Sequence, residues 1–172
     1  MSVITKKICL LGDFNVGKTS LIRRFIEDKF SDRYLSTVGV KVSRKSIDIQ
    51  TDSQICQVNL MVWDLEGNTK FKPITPSYLK GASGSIIVAD LARINTLNSI
   101  SQHIDLFLSV NPHATIAIAL NKADLISQEK LKKLIENHSS HDNPQILCTH
   151  TTSAKTGNNV AKIFEELSQS II

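Results

Sequence analysis

Between the apolar run Ile8–Leu11 and the helically spaced Leu21, Ile22, Phe25 and Ile26 stands Gly12-Asp13-Phe14-Asn15-Val16-Gly17-Lys18-Thr19, which fits G-x-x-x-x-G-K-[ST]. A strand delivered through two glycines into a helix N-terminus is a phosphate-holding unit. Backbone N–H groups from about Phe14 to Thr19 can curl round an anion, and the glycines permit the tight path. Lys18 would neutralise phosphate oxygens and the Thr19 hydroxyl would ligate Mg²⁺. The bland alternative, a glycine turn followed by an exposed lysine, requires neither the second glycine nor the Lys-Thr pair. A chance match in a chain of this size is on the order of one in a hundred or less.

The rest of the chain supplies the sheet that such a loop needs. Apolar runs of strand length recur at Ile55 to Trp63, Ile86 to Ala89, Ile116 to Leu120 and Ile146 to Cys148. Continuous short runs suit strands buried on both faces. Helical spacing intervenes in Leu97, Ile100, Ile104, Phe107 and Leu108, in Leu131, Leu134 and Ile135, and in Val160, Ile163, Phe164 and Leu167. Lys41 to Gln50 instead alternates Val42, Arg44 and Ser46 against Ser43, Lys45 and Ile47 and leads through Thr51–Gln54 into the next run, as an edge hairpin does. The expectation is an α/β chain with a six-stranded, mostly parallel sheet, one antiparallel edge strand and about five flanking helices in three layers. With 172 residues and no linker or repeat, residues 1–172 read as one domain.

Hydrophobic residues make up 41% of the chain and charged residues 21%, which excludes disordered and low-complexity classes. No apolar run approaches the roughly 18 residues that span a bilayer, and the first residues lack a signal-peptide core, so a cytoplasmic location is expected. Cys9, Cys56 and Cys148 lie far apart in apolar runs and read as buried thiols rather than a disulfide framework or a paired-cysteine zinc site. His138, His141 and Asp142 are flanked by Ser139-Ser140 and Asn143-Pro144, the composition of a polar loop rather than a metal centre. Trp63 reads as core packing, and Lys130, Lys132 and Lys133 as the solvated side of a helix. Residues 1–84 hold 13 Lys and Arg against 8 Asp and Glu, whereas residues 85–172 hold 7 against 8. The anion-handling half is therefore the first.

Asn121-Lys122-Ala123-Asp124 follows the run Ile116–Leu120, at the strand end where open α/β sheets take ligands. A carboxylate at Asp124 can accept both the ring N1–H and the exocyclic amino hydrogens of guanine. Adenine presents no such donor pair.

With these motifs in order the chain resembles the Ras superfamily of small GTPases, most closely the Rab family, from Lys7 to about Leu167. The resemblance extends to Thr37-Val38-Gly39-Val40, Trp63-Asp64-Leu65-Glu66-Gly67 and Ser153-Ala154-Lys155, with Rab-like detail in Tyr34-Leu35-Ser36-Thr37, Phe71–Thr75 and Tyr78–Ala82. It implies a P-loop GTPase fold, the G domain. GTP or GDP would be held by Phe14, Asn15, Val16, Gly17, Lys18, Thr19 and Ser20, with Phe30 and Lys122 on the two faces of guanine. Asn121, Asp124, Ser153, Ala154 and Lys155 would complete the base site, Ala154 through its backbone N–H. It further implies Mg²⁺ held by Thr19, Thr37 and Asp64, γ-phosphate sensing by Thr37 and Gly67, and a catalytic group of Lys18, Thr37, Gly67 and the residue in the slot after the D-x-x-G glycine.

That slot normally carries Gln, which orients the attacking water; here it is Asn68, shorter by one CH₂. Phe14 stands where the family has Gly or a small residue, and Glu66 where it has Ala. The expectation is a switch cycling between GTP and GDP with slow hydrolysis, of the signalling and vesicle-trafficking kind. The alternative is a GTP-binding interaction module with little or no hydrolysis. Expected partners are exchange factors, activating proteins and effectors on the switch segments, with no nucleic acid, the protein acting as a monomer. Nucleotide kinases are set aside by Asn121–Asp124 and by the lack of an Arg-rich lid. No Cys follows Cys148 and residue 2 is Ser, so neither prenyl nor myristoyl attachment is encoded here; membrane binding is expected only if a lipidated tail follows Ile172. Lys41, where Rab relatives generally have Asp, gives the switch face the opposite sign and points to an acidic effector.

Overall fold

The structure is a computed structural model that describes residues 3–33, 35–51, 54–67, 74–138 and 142–172. Its strands are β1 (Val3–Leu11), β2 (Val40–Gln50), β3 (Ile55–Leu65), β4 (Gly84–Asp90), β5 (Thr115–Asn121) and β6 (Ile146–Thr151). They form one sheet in the order β2-β3-β1-β4-β5-β6. Every neighbouring pair is parallel except β2 with β3, whose antiparallel ladder runs from Val40 opposite Leu65 to Gln50 opposite Ile55. The edge hairpin read from alternation is thus present.

Four helices of ten or eleven residues cover the sheet: α1 (Lys18–Glu27), α3 (Ile100–Val110), α4 (Gln128–His138) and α5 (Val160–Ser170). The helix expected from Leu97 onward is broken. A five-residue α2 (Ile94–Asn98) precedes α3, separated from it by Ser99. His138, read as loop, is the last residue of α4. No helix among the described residues is long and apolar enough to cross a membrane.

Period-two alternation sorts the core into two layers. Ile8 and Leu10 of β1 pack with Phe25 of α1 and Phe164 of α5, whose rings stack at 4.1 Å. Cys9 and Leu11 face the other way, onto Leu97, Ile104 and Phe107. Each fully buried Leu, Ile or Phe removes enough apolar area from water to contribute about 1.5–3 kcal/mol. The central strand β4 is buried along its whole length, as the continuous apolar reading required. That reading fails at β6, which pairs only with β5 and leaves Leu147 45% exposed. Cys148 is accordingly half-buried rather than buried, while Cys9 and Cys56 are buried; none of the three is in a disulfide among the described residues.

The parallel strands end on one side of the sheet, and the chain turns to the opposite side of β1 after β3. Such a switch point leaves a crevice beyond the strand ends. Gly12–Lys18, Glu66–Gly67, Asn121–Asp124 and Thr152–Lys155 all follow directly from the ends of β1, β3, β5 and β6.

Candidate functional site

Two adjoining lobes occupy that crevice. One, of about 110 Å³, is lined by Phe14, Asn15, Gly17, Lys18, Thr19, Ser20, Phe30, Thr37 and Gly67, with Arg23, Lys29 and Arg33 adding positive charge. The other, of about 230 Å³, is lined by Phe30, Asn121, Lys122, Asp124, Ala154 and Lys155 and shares Asn15, Gly17 and Ser20 with the first. Three of the described expected site residues line neither lobe: Val16, Ser153 and the buried Asp64. Val16 is fully buried and offers its carbonyl to the Asn121 amide at 3.0 Å. Ser153 is buried behind the second lobe, where its hydroxyl donates to Asp124 at 2.6 Å. Asn68 lies outside the described residues.

Glycine is required in the first lobe by contact rather than by flexibility alone. A Cβ on Gly17 would come within 2.3 Å of the Asn121 amide nitrogen, and one on Gly67 within 2.5 Å of Phe14 Cα. The loop therefore lies against both the base-side strand and the start of the segment after β3. Lys18, only 6% exposed, donates its ammonium to the carbonyls of Gly12 and Asp13 at 3.0 and 2.9 Å. Burial pushes its pKa down to about 8, against the raising influence of Asp64 and Asp13. An ammonium held so dry gains much from an incoming anion.

The Thr19 hydroxyl lies 2.7 Å from that of Thr37 and donates to Asp64 at 2.6 Å; Thr37 reaches the same carboxylate oxygen at 3.5 Å. The other oxygen, Asp64 Oδ1, is buried without a hydrogen-bond partner among the described residues. Burial raises the Asp64 pKa, while the Thr19 bond and Lys18 oppose the shift. Two hydroxyls converging on a carboxylate with an orphaned oxygen are an all-oxygen donor set suited to a small hard cation such as Mg²⁺. The residues present fit that ion.

In the second lobe Asn121 acts as a strut. Besides its bond to Val16, its carbonyl oxygen accepts from Thr152 Oγ1 at 3.2 Å and from the Ala154 N–H at 3.3 Å. Lys122 adopts a left-handed backbone (φ 64°), a strained state for a non-glycine residue. Its ammonium compensates by reaching the Asn15 carbonyl at 2.9 Å and Asp90 at 2.7 Å. The stem is thereby laid along the rim of the lobe.

A glycine loop at the end of β1, an Asn-Lys-x-Asp turn at the end of β5 and a Ser-Ala-Lys turn after β6, ranged along one crevice, are matched as a whole by the Ras family, whose profile covers residues 7–172. The chain belongs to the Ras family. Its relatives include the human Ras-related protein Rab-22A, 31% identical over 173 residues, spanning 99% of this chain and 86% of that protein. Rab-1C of Dictyostelium discoideum is 34% identical over 167 residues, with 96% and 80% covered. Rab-13 of Canis lupus familiaris is 32% identical over 172 residues, with 96% and 79% covered. This is therefore a small GTPase of a family that binds GTP and GDP with Mg²⁺.

Several supports of the Ras-family site had no local motif to announce them. Arg24, in the last turn of α1, donates from Nε to the Ala154 carbonyl at 2.8 Å and from Nη2 to the Lys155 carbonyl at 2.7 Å, pinning the Ser-Ala-Lys turn. Arg93 donates to the Phe14 carbonyl at 2.8 Å and pairs with Asp90 at 3.0 Å. Asp13 accepts from the ring Nε2–H of His103 of α3 at 2.8 Å. Only Asp90, a polar residue ending an apolar strand, carried a signal.

Glu66 is the departure whose direction the sequence left open. One carboxylate oxygen accepts the Gly39 N–H at 2.9 Å, and its own N–H donates to the Gly39 carbonyl at 2.8 Å, one rung beyond the β2–β3 ladder. The side chain thus grips the segment bearing Thr37. A bond to a charged acceptor is worth about 1.5–3 kcal/mol, so Glu66→Ala is expected to speed amide exchange at Gly39 by about tenfold or more. Exchange unchanged in that variant would show that the carboxylate does not hold this segment.

Proposed function

We propose that this Ras-family protein is a Rab-like switch that binds GTP and GDP with Mg²⁺ and hydrolyses GTP slowly on its own. The observation that carries the reading is the continuity of the two lobes, one with Lys18 and the Thr19–Thr37–Asp64 cluster, the other with Asp124 braced by Ser153. In the second lobe Asp124 would accept the two donors of guanine, the Ala154 N–H would meet its carbonyl oxygen, and Phe30 and the Lys122 stem would cover its faces. In the first, Lys18 and the N–H groups of Phe14 to Ser20 would hold the phosphates, with Gly67 donating its N–H toward the terminal one. Bound Mg²⁺ supplies positive charge against the phosphate oxygens. Thr37 would then report the terminal phosphate to the exposed Leu35 and Val38, the surface effectors read.

Slow turnover rests on two side chains, Asn68 and Phe14. Asn68 offers the amide that orients water on a shorter arm. Phe14 is 41% exposed in the mouth of the phosphate lobe, where it narrows the space for that amide or for an arginine from an activating protein. Glu66, by holding Gly39, lends the second reading its support: a module whose switch segment stays ordered whatever nucleotide is bound. Nucleotide content after purification, followed by single-turnover release of phosphate, tests both. Bound guanine nucleotide with slow release supports the switch, bound GTP with no release the module, and absence of nucleotide binding removes both.

Lys41 and Arg44 are both exposed along the edge strand β2, on its opposite faces, so an acidic effector meeting that edge is the complement. For an effector bound there, Lys41→Asp is expected to weaken binding about tenfold at low salt, with the loss shrinking as ionic strength rises. A salt-independent loss, or none, would place the contact elsewhere.

A further inference from the structure

Cys148 and His150 of β6 and Glu166 of α5 take no part in the crevice. Their ligand-capable atoms, one sulfur, one imidazole nitrogen and one carboxylate oxygen, lie within 4.8 Å of one another. A bulge puts them there. Ile146 pairs with Ile116 but Cys148 with Ala117, so the strand gains a residue at Leu147 and changes which side chains face α5. Ile146 then packs with the α3 layer and Cys148 with the α5 layer. Beyond the bulge, Cys148 and His150 stand opposite Ala117 and Ala119, two small residues of the α5 layer. Glu166 bonds His150 Nε2 at 2.7 Å, with the Cys148 sulfur within 4.8 Å of both ligand atoms.

We propose that Cys148, His150 and Glu166 form a second metal site, selective for a borderline transition ion of the Zn²⁺ type. The donor set differs in kind from that of Thr19, Thr37 and Asp64: hard ions prefer oxygen alone, whereas sulfur with imidazole favours zinc. Three protein ligands with the fourth position open to solvent is a common zinc arrangement. The site is half-buried, with the His150 side chain 18% and the Glu166 side chain 35% exposed, so an ion has access. Charge balances on binding. The Cys148 S–H bond breaks and its proton leaves to solvent, the His150–Glu166 hydrogen bond gives way, and one thiolate and one carboxylate neutralise the dication. Lys162, 3.9 Å from Glu166 and 56% exposed, can turn to solvent. The ion would clip the edge strand β6 to α5, just before the Ser-Ala-Lys turn.

Co²⁺ titrated into the GDP-loaded protein with excess Mg²⁺ is the probe, because a thiolate–Co²⁺ charge-transfer band marks sulfur ligation and an all-oxygen site gives none. The expected result is one equivalent of Co²⁺ with that band and intense visible absorption, both displaced by Zn²⁺. Cys148→Ser should abolish the band, and Glu166→Gln should weaken Co²⁺ binding about tenfold or more. Far-UV circular dichroism and retained GDP establish that each variant is folded. No band in the native protein, or a band unchanged in Cys148→Ser, overturns the proposal. Should Cys148→Ser not fold, the Glu166→Gln arm decides, and unchanged affinity there overturns it.

Discussion

Asp124→Asn is expected to lower the affinity for GDP by about 10²–10⁴-fold and to admit xanthine nucleotides in its place. In the proposed base site the carboxylate would face two donors of guanine, and each charge-assisted bond is worth about 1.5–3 kcal/mol. An amide keeps one acceptor but turns its NH₂ toward the guanine amino group, donor against donor. Xanthine carries a carbonyl at that position and restores the match. Ser153, donating to Asp124 at 2.6 Å, still finds an oxygen in Asn, so the turn itself should survive. Competition of GDP and XDP against a fluorescent GDP analogue measures the effect. Unchanged GDP affinity would remove Asp124 from the base site and with it the guanine assignment.

The second large effect is catalytic: Asn68→Gln is expected to raise single-turnover hydrolysis about a hundredfold. One CH₂ is roughly 1.5 Å of reach, and a misplacement near 1 Å can cost about that factor. Phe14 limits the gain, because Gly67, the neighbour of residue 68, lies against its backbone. If the ring crowds the water-orienting amide, Phe14→Gly combined with Asn68→Gln should exceed the product of the single effects. Equal rates for the native protein and Asn68→Gln would sink the slow-hydrolysis reading.

The legible parts were those whose physics is local. The glycine loop, the alternation of apolar strands with helically spaced segments and the antiparallel β2 all stood in the sequence. Each is set by neighbours along the chain: a backbone path only glycine takes easily, a period of two, a period of about 3.6. The Asn121–Asp124 motif was legible because a base edge demands a fixed set of donors and acceptors. Less legible was β6, where an apolar run read as doubly buried proved to be a sheet edge. Strand order is a property of the whole sheet, and nothing in Ile146–Cys148 encodes it. The break at Ser99 likewise interrupts a spacing that continues smoothly through it.

By itself, then, the sequence determined that a glycine loop with Lys18 and Thr19 opens a helix at the end of a parallel strand, and it named the residues that would surround a nucleotide. Tertiary structure decided how those residues are held and where the odd ones point. Arg24 meets the Ala154 carbonyl across 130 positions of chain. Glu66 turns to Gly39 rather than into the phosphate lobe, because β2 pairs with β3 and carries that N–H past it. Cys148 reaches Glu166 because one residue of bulge shifts the register of an edge strand. Hydrogen bonds and ligand sets depend on distances of about 3 Å between groups remote in sequence, and only the folded chain fixes those distances.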